Sequence, residues 1–375
     1  MQSKRLGRWP RPERILVIRL GALGDVLRTL PAVSALRRLH PVSHLCWLVE
    51  PGSEAAVALS GVVDETLVFP RGELVRAARR GDLVGFVSLA RRFFRRLRAR
   101  RFEIVIDFHG LLKSGLFAWI SGAPVRLGHG FGTAREGAAL FSNERVELPD
   151  PHVSRYARNA ALVRALAPSA PIPEGPLLAA PAAARARLEE GLAAIGHPAA
   201  RGFVLIHPGS SPSASHKRYA VPAWVEVSKR LADAGHAVWI TAGPAPDERA
   251  LADRIVAAGG GRFVAAPPTA SFEELVALIE RAGVFAACDS GPLHAATLCG
   301  VPVVQVLGPT DPVHNEPGPA SRWRRVHVPL PCSPCRRGCA DPACMRAIPP
   351  ALVAEAVDAL AGAAVGSTGQ RDPGP

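Results

Sequence analysis

Short apolar runs alternate along this chain with segments whose apolar positions recur at helical spacing. "RILVIRL" is a continuous apolar run broken by "GALGD", and "VLRTLPAVSALRRL" then repeats apolar positions at Val33, Leu36 and Leu39. "HLCWLVE", "ETLVFP" and "FEIVIDF" are further short runs with helical segments between them. Strands that are apolar throughout, separated by helices, predict a parallel sheet covered on both faces.

A Pro/Ala-rich stretch, "APSAPIPEGPLLAAPAAA" from Ala167 to Ala184, interrupts the alternation and reads as a linker. The pattern then restarts. "FVLIHPGS", "AVWITAG", "RFVAA", "VFAACD" and "VPVVQVLG" are strand-like. "PAWVEVSKRLADAG", "PDERALADRIVAAG", "SFEELVALIERAG" and "PLHAATLCG" are helical. The expectation is an α/β protein of two Rossmann-like, doubly wound domains facing a central cleft, because such folds bind ligands beyond the C-terminal ends of their strands. The boundaries expected are 1–175 and 176–362, followed by a disordered tail over 363–375.

Length and composition agree with this division. The 375 residues suit two domains of ordinary size, and the 48% hydrophobic content is that of a globular protein. No long uncharged apolar span occurs. The basic start, "MQSKRLGRWPRPERILVIRLG", has too short an apolar core for a secretory signal, so a cytoplasmic protein is expected.

The charge balance, 45 Lys+Arg against 32 Asp+Glu for a net +13, implies acidic partners. Much of the excess sits in "LARRFFRRLRARRF", where Leu89, Phe93 and Leu97 mark one face of an amphipathic helix and arginines fill the other. A solvated face and an anionic membrane surface or acidic substrate both fit this helix. Nucleic acid is not expected, since no binding fold or stacking-aromatic motif accompanies the charge.

Three loops carry candidate chemistry. In "RLGALGDVLRTLPA", Gly21 and Gly24 permit close approach of backbone to a ligand, and Asp25 sits at a helix start, where it could cap the helix or act on a substrate. The spacing is not the dinucleotide fingerprint. In "HPGSSPSASHKRYAVPAW", small hydroxyl residues and Gly209 precede Lys217 and Arg218, a combination that suits a diphosphate or an ordinary polar connection. In "VFAACDSGPLHAATLCGVPVVQVLGPTDP", an apolar run halts at Asp289, turns through Ser-Gly-Pro and restarts as a helix at His294. A strand passing straight into a helix leaves free N–H groups and a positive dipole end at the turn, a site for an anion; a simple cap uses the same residues.

Taken together, "ILVIRLGALGDVLRTLPAVSALR", "HPGSS" with "KRY" and Trp224, and "CDSGPLHAATLCGVPVVQVLGPTDP" make the chain resemble glycosyltransferase family 9, the bacterial ADP-heptose:lipopolysaccharide heptosyltransferases. The resemblance spans residue 14 to about 350 and is most specific at Asp289–His294 with Gly308-Pro309-Thr310. It implies a GT-B fold and an inverting, metal-independent transfer without a cofactor. It also implies a lipid-linked core acceptor on the N-terminal domain, an ADP-heptose donor on the C-terminal one, and work at the inner face of the inner membrane.

By the same resemblance Asp25 is the catalytic carboxylate and Lys217 the cation that assists the donor. Ser210, Ser211, Asp289, Ser290, Gly291 and His294 lie in the donor loops, and Glu248 is the carboxylate for the ribose. Gly21 and Gly24 belong to the acceptor loop. Lys217, in a Gly/Ser loop, is expected to have no role in a core. Pro292, which has no N–H, would pre-set the first helical turn.

Four of the seven cysteines form C-x₂-C-x₃-C-x₄-C at Cys332, Cys335, Cys339 and Cys344. Four thiolates could hold tetrahedral zinc, but the spacing is tighter than a pair of zinc knuckles, and reduced thiols packing a loop are the preferred reading. Beside the transferase stand two alternatives: a family 9 enzyme with another sugar nucleotide or acceptor, and a basic nucleotide-binding or nucleic-acid-binding protein without turnover.

Overall fold

The computed structural model describes residues 12–335, 339 and 341–365. The basic start up to residue 11 and residues 366–375 of the expected tail lie outside the described residues, whereas residues 363–365, expected as the start of that tail, are helical. The chain divides into two compact units, Met1–Glu174 and Gly175–Pro375.

The first unit is a six-stranded parallel sheet built around β1 (Arg14–Ile18). β2 (His44–Val49) and β3 (Glu65–Val68) lie on one side, and β4 (Ile104–Asp107), β5 (Val125–His129) and β6 (Glu144–Val146) on the other, in the order β3-β2-β1-β4-β5-β6. Ile15 to Ile18 are fully buried, as a strand covered on both faces requires. The register sets Ile18 beside both Leu48 and Asp107, so the segments leaving β1 and β4 emerge together at one edge of the sheet.

Segments joining the strands form α1 (Leu23–Leu27), α2 (Leu30–Leu39), α3 (Glu54–Ser60), α4 (Arg71–Arg79), α5 (Leu83–Ala99) and α6 (Leu112–Ile120). α7 (Arg155–Leu166) closes the unit. The run expected as one helix after Gly24 is two, because Pro31 has no N–H and its ring would strike the carbonyl four residues earlier; it is tolerated only in the first turn of α2. On α5, Phe93 and Leu97 are buried, and Phe93 packs edge-on against Phe69 at 5.2 Å between ring centroids. Burying each such side chain contributes about 1.5–3 kcal/mol. β5 and β6 escape a reading by apolar runs: β5 carries Arg126 and Gly128, and β6 is a short edge strand.

The second unit repeats the plan. Its sheet is β12-β11-β10-β7-β8-β9, comprising β7 (Phe203–His207), β8 (Val238–Ile240), β9 (Phe263–Ala265), β10 (Ala282–Cys288), β11 (Val303–Leu307) and β12 (Trp323–His327). Its helices are α8 (Ala182–Ala194), α9 (Val221–Asp233), α10 (Pro246–Ala258), α11 (Phe272–Arg281), α12 (Gly291–Leu298), α13 (Ala343–Arg346) and α14 (Pro350–Val365).

α14 packs on α9 and on β10, β11 and β12. Trp224, Val227 and Leu231 of α9 join Val353 and Val357 of α14 in one core, and the Tyr219 hydroxyl donates to the Ile348 carbonyl at 2.6 Å. Ala287 of β10 lies beside His207, so the loops after β7 and β10 share an edge. Each unit is thus a doubly wound α/β domain. Among the described residues no helix is long and apolar enough to cross a membrane.

Candidate active site

In the first unit the segment leaving β1 carries Arg19, Gly21, Gly24 and Asp25. Asp25 lies within the short helix α1 and does not cap it: its carboxylate meets guanidinium groups instead of backbone N–H groups. Arg19 Nη2 is 2.6 Å from Oδ2, and Arg28 Nη2 and Arg155 Nη1 are each 2.7 Å from Oδ1. Burial alone would push this carboxyl up, but the three cations outweigh it and hold it well below the usual carboxylate range. Asp25 is therefore ionised throughout the physiological range.

Arg19 is itself fixed by donating to the Phe108 carbonyl at 2.8 Å, and Ser154, whose side chain caps α7, sets Arg155 at that helix's first position. Gly21 has open space where a Cβ would stand, so nothing in this unit's own packing demands a glycine there.

Beyond β4 the buried Asp107 carboxylate accepts from the His109 and Gly110 N–H groups at 2.9 and 3.1 Å and from Ser114 Oγ at 2.8 Å. Burial still pushes its carboxyl up. Burial also pushes the His109 imidazole down to about 3 and holds His129 well below its ordinary value, with Arg19 adding to both and Arg158 to His129. Both ring nitrogens of His129 lie buried without a hydrogen-bond partner. Burial, with repulsion from Arg19, Arg155 and Arg135, brings the Arg158 guanidinium down to about 10. A region in which arginines crowd one another around one ionised aspartate attracts an anion. Arg19 and Arg28 flank Asp25 in the sequence and could have been singled out there; Arg155, 130 positions away, could not.

In the second unit the loop after β7 runs through Gly209, Ser210 and Ser211 into a 3-10 turn ending at Lys217. Ser210 is buried, donates to the Ala214 carbonyl at 3.0 Å and accepts from Arg218 Nε at 3.1 Å, whereas Ser211 is exposed. Arg218 also reaches Asp247 at 2.7 Å. Lys217 Nζ donates to Asp289 Oδ2 at 2.8 Å, so the expectation that Lys217 has no role in a core is corrected: it neutralises a carboxylate only 5% exposed. Thr310 Oγ1 donates to the same oxygen at 3.3 Å, and His294 Nε2 stands 3.5 Å from Oδ1.

Ser290 is the residue before α12 and has extended backbone, yet its hydroxyl makes no cap bond and is buried without a partner. Gly291 and Pro292 form the first turn, so α12 opens with its dipole end beside the Lys217–Asp289 pair. Glu248, in the first turn of α10, lies against two glycines: a Cβ on Gly209 would stand 2.8 Å from its Cδ, and one on Gly243 2.0 Å from its Oε2. Burial pushes this carboxyl up, with Arg218 opposing. Ser210, Lys217, Glu248, Asp289, Ser290, Gly291 and His294 thus gather at one edge of the second sheet.

The cysteine segment packs on the loop after β11. Ser333 Oγ donates to the Gly308 carbonyl at 2.9 Å and the Cys335 N–H to the Pro309 carbonyl at 2.7 Å. Cys344 Sγ and Met345 Sδ occupy the space where Gly308 would carry a side chain. Burial pushes the Cys344 thiol up, and the neighbouring Cys339 and Cys332 add to it. Among the described residues no group of three or more His, Cys, Asp or Glu converges as a metal site.

The sequence model of glycosyltransferase family 9 (heptosyltransferase) matches residues 90–343. Lipopolysaccharide heptosyltransferase 1 of Pseudomonas aeruginosa is 29% identical over 331 residues, 86% of each chain. Among solved structures, a glycosyl transferase family 9 protein of Veillonella parvula superposes with a TM-score of 0.75 at 19% identity, over 94% of this chain and 98% of that one. The E. coli heptosyltransferase WaaC, solved with ADP, superposes at 0.71 and 23% identity, over 92% and 99%.

Proposed function

Because this chain belongs to glycosyltransferase family 9, we propose that it transfers a heptose from ADP-heptose to the inner core of lipopolysaccharide, on an acceptor of the lipid A–Kdo type. That it is a glycosyltransferase follows from the family. The donor, the acceptor, inversion and independence of metal are the proposal, drawn from the heptosyltransferase relative and from the ADP carried by its structural neighbour.

In this reading the second unit takes the donor. The observation that carries it is the turn from β10 into α12, where the helix end, the unpartnered Ser290 hydroxyl and Lys217 stand together. These are the groups a diphosphate needs, and the Glu248 carboxylate beside Gly209 and Gly243 suits the ribose hydroxyls. The cations and arginine-held Asp25 of the first unit suit an anionic acceptor whose hydroxyl must lose a proton.

The chemical step is a direct displacement. The acceptor oxygen bonds to the anomeric carbon while the bond from that carbon to the β-phosphate oxygen breaks, and ADP leaves with the electron pair. The proton passes to Asp25, and Lys217 with the α12 N-terminus takes up the negative charge developing on ADP. Protein cations and N–H groups stand where a divalent ion would otherwise serve. The Arg-rich α5 supports a peripheral place for the enzyme at the anionic inner face of the inner membrane.

Turnover of ADP-heptose on acceptors of successive core lengths tests the reading, with product expected on the acceptor that lacks heptose. ADP-heptose should raise the melting temperature by mass action, and DNA or RNA should not. Binding of ADP-heptose without transfer to any core acceptor would favour a family 9 enzyme with another acceptor. A thermal shift by nucleic acid alone would favour the non-catalytic alternative.

A further inference from the structure

The arginines of α5 are only half of an unusual surface. Toward the core the helix presents Phe93 and Leu97, both buried. A second stripe, winding through Val84, Val87, Arg91, Arg95 and Arg98, faces outward and borders a cavity of about 970 Å³ together with Ile120 of α6. Its N-terminal end is apolar and bare: Leu83 is 73% and Val84 83% exposed. α6, which reaches the groove through Ile120, also carries exposed apolar side chains, with Leu112, Leu116 and Trp119 recurring at helical spacing and Trp119 58% exposed. No acidic residue lines this cavity. The groove on the other flank of α5 differs, since Glu73 stands there beside Arg76, Arg92 and Arg96.

We propose that the outer faces of α5 and α6 dock on an anionic lipid bilayer. Val84, Val87 and Trp119 would enter the headgroup region while Arg91, Arg95 and Arg98 engage lipid phosphates. The proposal rests on the reading that the acceptor is lipid-linked. Exposed apolar side chains gathered on one groove, as Leu83, Val84 and Val87 are, mark a surface that something covers. The arginines state the charge of that occupant, and a bilayer alone offers an apolar layer directly behind a layer of phosphates. Trp suits the boundary between the two, with an apolar ring and one N–H for the polar side. A nucleic acid would satisfy the arginines and leave the valines and leucine wet.

Two variants of the full chain separate insertion from charge. One carries Val84→Ser, Val87→Ser and Trp119→Ser; the other carries Arg91→Gln, Arg95→Gln and Arg98→Gln. All six positions lie outside the core, so unchanged melting temperatures are the control. In co-sedimentation, the unaltered protein should bind phosphatidylglycerol/phosphatidylethanolamine vesicles and not phosphatidylcholine vesicles. The arginine variant should bind on the order of a hundredfold more weakly, from about a fivefold step for each of the three cations lost. The serine variant, with every arginine retained, should bind at least about tenfold more weakly, and added salt should release it more readily than the unaltered protein.

Binding of the serine variant at the unaltered level would overturn the proposal, as would equal displacement from vesicles by a DNA oligonucleotide. Transfer to a delipidated, water-soluble acceptor should be the same in all three proteins. Loss of that transfer in the unaltered protein would sink the reading of the acceptor while leaving the vesicle result to stand or fall by itself.

Discussion

Lys217 and Asp289, 72 positions apart, form an ion pair of 2.8 Å at the mouth of the second sheet, where the loop after β7 meets the turn into α12. The lysine is 22% exposed and the aspartate 5%, so the pair is half sheltered, with its cationic side toward solvent.

Lys217→Ala should damage stability as well as donor use. It takes the neutralising cation from a buried carboxylate that also accepts from Thr310, a loss of about 1–3 kcal/mol. Adding Asp289→Asn should recover most of the melting temperature without restoring the Michaelis constant for ADP-heptose. A double variant that regains donor use would show that Lys217 serves only to neutralise Asp289.

Gly209 and Glu248 give a steric test. An alanine at 209 would press on the Glu248 carboxyl at 2.8 Å from Cδ and push it off its seat. Gly209→Ala should weaken ADP binding, read by calorimetry, about as much as Glu248→Ala, and the two together should cost little more than either alone. Full additivity would mean that the glycine and the glutamate serve different parts of the ligand.

The buried histidines set a pH dependence. Burial pushes His207 down to about 4 and holds His129 well below its ordinary value. Unfolding lets both rings protonate near 6.5, so their contribution is fully present above that pH and is lost as pH falls toward the folded values. At pH 5 the loss is about 2 kcal/mol for His207, with His129 acting in the same direction. Asp107 and Glu248, pushed up by burial, act with the opposite sign and offset part of it. The melting temperature should therefore fall between pH 7 and pH 5, and His207→Leu should shrink that fall. An unchanged difference in the variant would remove His207 from the linkage.

The doubly wound pattern was legible because apolar strands and amphipathic helices differ in period, and β1, β7 and β10 carry the strongest runs. β5 and β12 were not, since an edge or near-edge strand tolerates Arg126, Arg324 and Arg325. The loops bearing Asp25, Lys217 and Asp289 were legible as loops with unusual composition. Their partners were not, because ion pairs such as Arg155 with Asp25 depend on which strand ends the topology brings together. Lys217 illustrates the limit: its loop was visible in the sequence, its bond to Asp289 was not.

The cysteine segment is expected to hold no metal. Ser333, Cys335 and Cys344 brace Gly308 and Pro309 through hydrogen bonds and packing, a role that reduced thiols fill. Purified protein should carry sub-stoichiometric zinc or iron, and a chelator should leave transfer intact. Near one metal per chain, lost in Cys332→Ser with Cys335→Ser, would reverse this assignment.

Asp25 is the sharpest test of mechanism. Three guanidiniums hold it ionised, which keeps it ready to accept a proton but makes it a weak base. Of the three, Arg155 is the most exposed, at 37% against 11% for Arg19 and 7% for Arg28. It is the cation that an anionic acceptor can draw away, and its departure would raise the basicity of Asp25 at the moment of reaction. Asp25→Asn should lower turnover by about 10²–10⁴-fold and leave ADP affinity unchanged. It should also lower the melting temperature, because three clustered cations lose their counter-charge; a helix cap would have tolerated Asn. Arg155→Gln should raise the Michaelis constant for the acceptor more than it lowers kcat, since it removes an acceptor contact and relieves a brake on the base together. Near-normal turnover in Asp25→Asn would mean that Asp25 only organises the arginines, and that the proton leaves by another group.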